Sequence, residues 1–282
     1  KSQLNQTPLT AYHTMHPILF ETESVVVDSY SFFFTLAWIV GAVVYYQEFR
    51  RLGWELEEML MVMGGCIIGA VFGSYLFNAI FLGWEEVPKI ISTFEFGGKT
   101  VLGGIAGGFL GVEIAKKKIG YPHSTGDAFA LAIPLGHAIG RVGCLFGGCC
   151  YGTVCELPWA ISYPEGSFLH LLQVSQGIIP ESAIRSLAVH PTPIYEIIFN
   201  LGLFAFFYTK RGTYKVRGSM FRLYLAAYGF FRLLEEFIRG DSPPAETAIF
   251  TPVQILLLVA VVYFGRQFYN NELKNNIAGA VG

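Results

Sequence analysis

GHAIGRVGCLFGGCCYG, residues 136–152, sets His137 and Arg141 inside a stretch that is otherwise small and apolar. YLAAYGFFRLLEEFIRGD, residues 224–241, does the same with Arg232, Glu235 and Glu236. Both stretches read as membrane-embedded helices. An ionisable side chain at bilayer depth costs several kcal/mol unless it faces a wet or paired interior, so by default it marks a site.

The rest of the chain fits that setting. Its 282 residues are 53% hydrophobic and only 14% charged, with a mean hydropathy of +0.48. Soluble domains carry about 25% charged residues. Several apolar runs reach roughly 20 residues, the length that crosses a bilayer as a helix. The expected fold is an all-α polytopic membrane protein with about seven transmembrane helices, forming a single integral membrane domain over residues 1–282. The net charge of −2 selects no partner, and no basic tract suggests nucleic acid.

The expected spans cover about residues 30–49, 59–82, 100–115, 127–146, 193–208, 219–238 and 251–264. The third is glycine-rich, with small residues on nearly every face, a surface that lets helices approach closely. A long loop, residues 147–190, joins spans four and five and suggests a lid or small surface domain. Because the chain starts at Lys1, its initiator region is expected to be absent or processed. Residues 1–14 are polar and read as an extramembrane tail.

Basic residues set the expected orientation. Arg50, Arg51, Lys116 to Lys118, Lys210, Arg211, Lys215, Arg217, Arg266 and Lys274 fall on one side. Lys1, Lys89, Lys99, Arg185 and Arg239 fall on the other. The positive-inside rule then puts the N-terminus and the long loop outside and the C-terminus in the cytoplasm.

Three constellations carry chemistry. His137 and Arg141, four apart, share a helical face. They suit an anion site with a titratable neighbour, since a guanidinium fork matches phosphate oxygens; a snorkelling arginine is the alternative. Tyr228, Arg232 and Glu236 form one polar stripe that must face the interior. Glu236 would hold Arg232, and Tyr228 can donate to a phosphate or carbonyl oxygen. A structural ion pair between helices is the alternative there, and Glu235 is expected on a different face. HPTPIYE, residues 190–196, opens span five, with prolines suited to a helix start and Glu196 favoured by the positive helix end. His190 would lie at the external surface, with loop pinning as the competing role. The cysteines, Cys144, Cys149, Cys150 and Cys155 with Cys66 apart, match no paired zinc-knuckle spacing. They fit packing or a structural disulfide better than metal or redox chemistry, so no metal and no cofactor is expected.

HPILFE (16–21), Tyr30, LGGIAGG (102–108), GRVGCLFGGCCYG, HPTPIYE and YGFFRLLEEFIRGD together resemble the prolipoprotein diacylglyceryl transferase family. They occur in the family's order over nearly the whole chain. The resemblance implies a multi-pass protein of the bacterial plasma (inner) membrane. Its implied partners are phosphatidylglycerol, or a similar anionic phospholipid, and a lipobox-containing prolipoprotein. The implied reaction moves the diacylglyceryl group to the lipobox cysteine thiol, forming a thioether as glycerol phosphate leaves. Carried over by position, Arg141 and Arg232 bind phosphate and are catalytic. Tyr30, Tyr228, Glu236 and His190 support the substrate site, and Gly143 and Gly152 keep the signature loop close to lipid.

This chain departs from the family pattern at three positions. The family has a histidine where Leu102 stands, and its GR-x-GNF-x-NGE signature has asparagine and glutamate where Cys144 and Cys149 stand. Leucine can neither take nor give a proton. Two readings follow. In one, His137 replaces the lost base and is catalytic, or the substrate thiol ionises beside the arginines. In the other, the chain is a phospholipid-binding structural or accessory subunit whose partners are other membrane subunits.

Overall fold

The computed structural model describes residues 18–21, 26–82, 101–240 and 250–274. The tail over residues 1–14, His16 and Pro17 of the HPILFE block, Lys89, Lys99 and the Leu102 side chain lie outside the described residues. Two short strands open the structure, β1 (Ile18–Glu21) and β2 (Val26–Asp28), paired antiparallel. An all-α expectation missed them. The β-branched Val26 and Val27 favour extended backbone just before the first helix.

Eight α-helices follow among the described residues. They are α1 (Ser29–Arg51), α2 (Leu56–Leu82), α3 (Val101–Lys118), α4 (Gly126–Gly147), α5 (Phe168–Ser175), α6 (Thr192–Lys210), α7 (Ser219–Glu235) and α8 (Pro252–Phe268). A π-helical turn, Tyr269–Lys274, extends α8. Four segments among the described residues are long and apolar enough to cross a membrane: Ser29–Arg51, Leu56–Leu76, Gly126–Gly147 and Val253–Glu272. Helix starts follow local chemistry. Asp28 Oδ1 accepts from Ser31 N at 2.8 Å at the head of α1. Thr251 and Gln254 exchange hydrogen bonds across the first turn of α8 as a capping box.

The chain divides into two compact units. In the smaller, Tyr46–Ser124, α2 and α3 pack backbone to backbone. Gly65, Gly69 and Gly73 face Gly103, Gly107 and Gly111, three glycines four apart on each helix. A Cβ on Gly107 would stand 2.8 Å from Gly73 Cα, and one on Gly65 would stand 2.6 Å from Gly111 O. Close packing is therefore what the glycines of α3 do here. Trp54 stacks edgewise on both Phe49 and Tyr121, with ring centroids 4.5 and 4.3 Å away.

The larger unit joins Lys1–Tyr45 to Thr125–Gly282 and holds His137, Arg141, Glu196 and Arg232. The first part of α1 lies on α4, where Gly136 and Gly143 make room: a Cβ on either would come within 3.2 Å of Ala37 O or 3.1 Å of Phe33 Cβ. Helices α4, α6 and α7 close a core of Ala130, Leu131, Phe207, Met220 and Tyr224. Asp127, in the first turn of α4, accepts from Gly218 N at 2.7 Å and Phe221 N at 3.2 Å. That carboxylate satisfies donors at the start of α7 that the helix itself leaves unpaired. Between α4 and α6 the chain folds around Tyr151, Tyr163, Leu169 and Val189 and includes α5.

Candidate functional site

One buried carboxylate organises the site. The prolines at 191 and 193 start α6, and its first turns bring Glu196 into the larger unit, where its side chain is 1% exposed. Glu196 Oε1 lies 2.7 Å from Arg141 Nη2, and Oε2 lies 2.9 Å from His137 Nε2. Tyr228 OH donates to Oε2 at 3.2 Å. Arg239 Nη1 approaches Oε1 at 3.8 Å. Helices α4, α6 and α7 and the turn after α7 thus converge on one anion.

The tautomer of His137 follows from these distances. Its Nε2 also lies 3.2 Å from Arg141 Nε. One ring nitrogen cannot donate to a carboxylate and accept from a guanidinium at once. The shorter contact to a full negative charge takes the Nε2 hydrogen, so the neutral ring keeps its basic lone pair on Nδ1.

Arg232 is paired on its own helix. Its Nη1 lies 2.5 Å from Glu236 Oε2, and its Nε lies 3.7 Å from Glu235 Oε2. The expected Glu236 partnership is present. Glu235 shares the guanidinium as well, because a residue three back along a helix is as near a neighbour as one four back. Among the described residues, neither buried oxygen of Glu235 has a hydrogen-bond partner. Tyr228 lies within electrostatic reach of Arg141, Arg232 and Glu196 together, and its ring meets His137 edgewise at 5.1 Å.

The other expected site residues take different places. Tyr30 is 40% exposed and stacks on Phe34. Gly143 sits beneath the Tyr30 backbone, where a Cβ would stand 3.2 Å from Tyr30 Cα. Gly152 ties three segments together: its N–H donates to His190 O at 3.0 Å, and Thr153 N donates to Ile238 O at 2.8 Å. A Cβ on Gly152 would stand 2.8 Å from Ile238 O. That strap positions Arg239, its bridge partner. His190 accepts this backbone bond, and its Nδ1 lies 3.3 Å from Tyr195 OH, to which the exposed Trp159 also donates at 2.8 Å.

Sequence reasoning missed Glu196 as the hub and Arg239 as a contributor. The rule applied to Arg141, that a charge at bilayer depth marks a site, would have found Glu196 had it been applied to span five. Arg239 had no such signal, because its place depends on the strap through Gly152.

Arg141 Nη1 also lies 3.7 Å from Cys144 Sγ. Outside the helix, burial and the neighbouring thiols raise the Tyr163 phenol above its ordinary pKa. Chemically, the site offers guanidinium donors held by buried carboxylates, a phenol, and an imidazole whose basic lone pair is on Nδ1. Such a set can hold an anionic ester and accept a proton beside it.

A profile of the family described as prolipoprotein diacylglyceryl transferase matches residues 17–266. The chain is similar to a protein of Clostridium tetani named phosphatidylglycerol–prolipoprotein diacylglyceryl transferase, 26% identical over 88% of this chain and 94% of that one. A second such transferase, from Clostridium perfringens, is 25% identical over 92% of this chain and 97% of its own length. A third, from Rhodopirellula baltica, is 33% identical over 54% of this chain and 33% of its own length.

Proposed function

The chain belongs to the prolipoprotein diacylglyceryl transferase family, and from that membership we propose that it transfers the diacylglyceryl group of phosphatidylglycerol to the lipobox cysteine of a prolipoprotein. The observation that carries this reading is the cluster on Glu196: an arginine at 2.7 Å, a histidine at 2.9 Å and a tyrosine at 3.2 Å from one buried carboxylate.

The reaction needs a thiolate nucleophile and a stabilised leaving phosphate. The sulfur electron pair forms the new C–S bond on the glyceryl carbon. The C–O bond to phosphate breaks, and its electrons leave with glycerol phosphate. Arg141 uses one edge of its guanidinium on Glu196, and its remaining donors serve the phosphate. Arg232 supplies further donors from α7, while the single Tyr228 hydroxyl hydrogen stays on Glu196 and holds that carboxylate in place. Nδ1 of His137 accepts the thiol proton, and Glu196 stabilises the resulting imidazolium.

The apolar helices and the bacterial relatives support a multi-pass bacterial membrane protein. We assign α3, α6 and α7 as further spans beside the four apolar segments, giving seven. The segment around α5 would then be external, with the C-terminus cytoplasmic, as the basic loops favour.

The test is a labelled lipobox peptide incubated with purified protein in vesicles containing phosphatidylglycerol. A mobility shift of the peptide on a gel is expected. No shift from folded protein, beside a working relative, would overturn transfer and favour the accessory-subunit alternative.

A further inference from the structure

The transfer scheme above leaves three sulfur atoms unused. Cys144 sits in the last turn of α4, and Gly148 follows as the C-cap at φ 72, ψ 23. This left-handed cap turns the chain back, so Cys149 N donates to Cys144 O at 3.2 Å. Cys150 then holds φ 57, a region that non-glycine residues rarely occupy and that clusters at functional sites. The turn brings the Sγ atoms of Cys144, Cys149 and Cys150 within 4.8 Å of one another. The spacing in the sequence concealed this, because the fold-back depends on left-handed backbone at Gly148 and Cys150 rather than on a knuckle.

The geometry suits a metal. Cys150 Sγ lies 3.7 Å from Cys144 Sγ. A tetrahedral ion with bonds of about 2.3 Å to sulfur spaces its ligands about 3.8 Å apart. Three thiolates on a dication leave one negative charge, and the Arg141 Nη1 atom 3.7 Å from Cys144 Sγ offsets it. Cys144 is buried, while Cys149 and Cys150 are half-buried, so the cluster is closed toward the helix and open away from it. Tyr163 packs beside the turn, where a Cβ on Gly148 would meet its ring at 3.1 Å. Its buried hydroxyl has no hydrogen-bond partner among the described residues.

We propose that Cys144, Cys149 and Cys150 bind a thiophilic divalent cation, zinc, as three thiolates, and that its fourth position takes the acceptor thiol. The second half rests on the transfer reading of the preceding subsection; the metal site does not. Coordination to a dication deprotonates a thiol outright, a step for which Leu102 has no chemistry. The proton passes to His137 Nδ1. The metal-bound sulfur then forms the C–S bond as the C–O bond to phosphate breaks, and the neutral thioether, a weaker ligand, leaves the metal. Nothing is oxidised or reduced.

The experiment measures bound metal and transfer on the same full-length preparations, reconstituted with zinc or cobalt. Wild type and Cys155→Ser are expected to hold one metal per chain. Cobalt-loaded protein should show sulfur-to-cobalt charge transfer and tetrahedral visible bands, and the bands should change when a lipobox peptide is added. Cys149→Ser and Cys144→Ser/Cys149→Ser should lose metal by on the order of 10-fold or more; the single variant keeps the test readable if the double variant misfolds. Unchanged metal content in both variants, or a disulfide among the three in protein kept anaerobic, overturns the site. Chelation should stop transfer and zinc should restore it. Undiminished transfer by metal-free protein overturns the acceptor-thiol role and leaves the transfer reading standing. Metal bound with no transfer overturns the transfer reading and leaves the site standing.

Discussion

Replacing Glu196 with glutamine removes one charge and almost no volume from the centre of the site. In the wild type that carboxylate is 1% exposed and faces Arg141, itself only 16% exposed. Removing one partner of a buried pair costs about 3–5 kcal/mol, because the other charge stays buried without compensation. Glutamine keeps its carbonyl oxygen on Arg141 and turns its amide NH2 toward His137 Nε2, so the lower end, about 3 kcal/mol, is expected. For a unit of this size each kcal/mol lowers Tm by roughly 2–4 °C, giving about 6–12 °C. Activity should fall further than stability. Without a carboxylate on Nε2, the His137 tautomer with its basic lone pair on Nδ1 is no longer fixed, and loss of a positioned base is worth about 10²–10⁴ in rate. Tryptophan fluorescence during heating in detergent measures the first effect, and transfer well below the variant's Tm measures the second. Glu156→Gln, at an exposed position, should change neither. A Glu196→Gln protein that melts with wild type and transfers at the wild-type rate would refute the hub.

Three further substitutions probe separate parts of the account. Arg141→Lys keeps the charge near Glu196 but loses the planar fork, so phosphatidylglycerol retention by native mass spectrometry should weaken with little change in Tm; equal retention would count against a headgroup role. His137→Gln should lower the transfer rate by about 10²-fold or more while leaving lipid retention intact, and retained turnover would eliminate His137 as the base. Gly107→Val drives a branched side chain into the Gly73 backbone, where a Cβ already stands 2.8 Å from Gly73 Cα. It should abolish folded protein in membranes, and normal yield and melting would contradict the close crossing of α2 and α3.

What the sequence made legible was local. Glycine spacing announced the close packing of α3, and four-residue spacing placed His137 with Arg141 and Arg232 with Glu236, because a helix puts those positions on one face. The contacts between helices were not legible. Nothing in HPTPIYE says that Glu196 meets Arg141 and His137, since that depends on how α4, α6 and α7 pack. The cysteine turn was hidden for a related reason. Its spacing resembles no known knuckle, and only the left-handed backbone at Gly148 and Cys150 brings the sulfurs together. Gly143 and Gly152 looked like ligand-facing glycines, yet both sit against protein backbone. A missing side chain makes room for whatever is nearest, and the sequence alone does not tell lipid from peptide.

The most direct test of the central claim is the intact mass of a lipobox peptide after reaction in two vesicle types, one with phosphatidylglycerol and one with phosphatidylcholine alone. The account predicts a mass gain of one diacylglyceryl group on the cysteine in the first, matched mole for mole by released glycerol phosphate. It predicts no gain in the second. An unmodified peptide in both, from protein that retains phosphatidylglycerol, would contradict it.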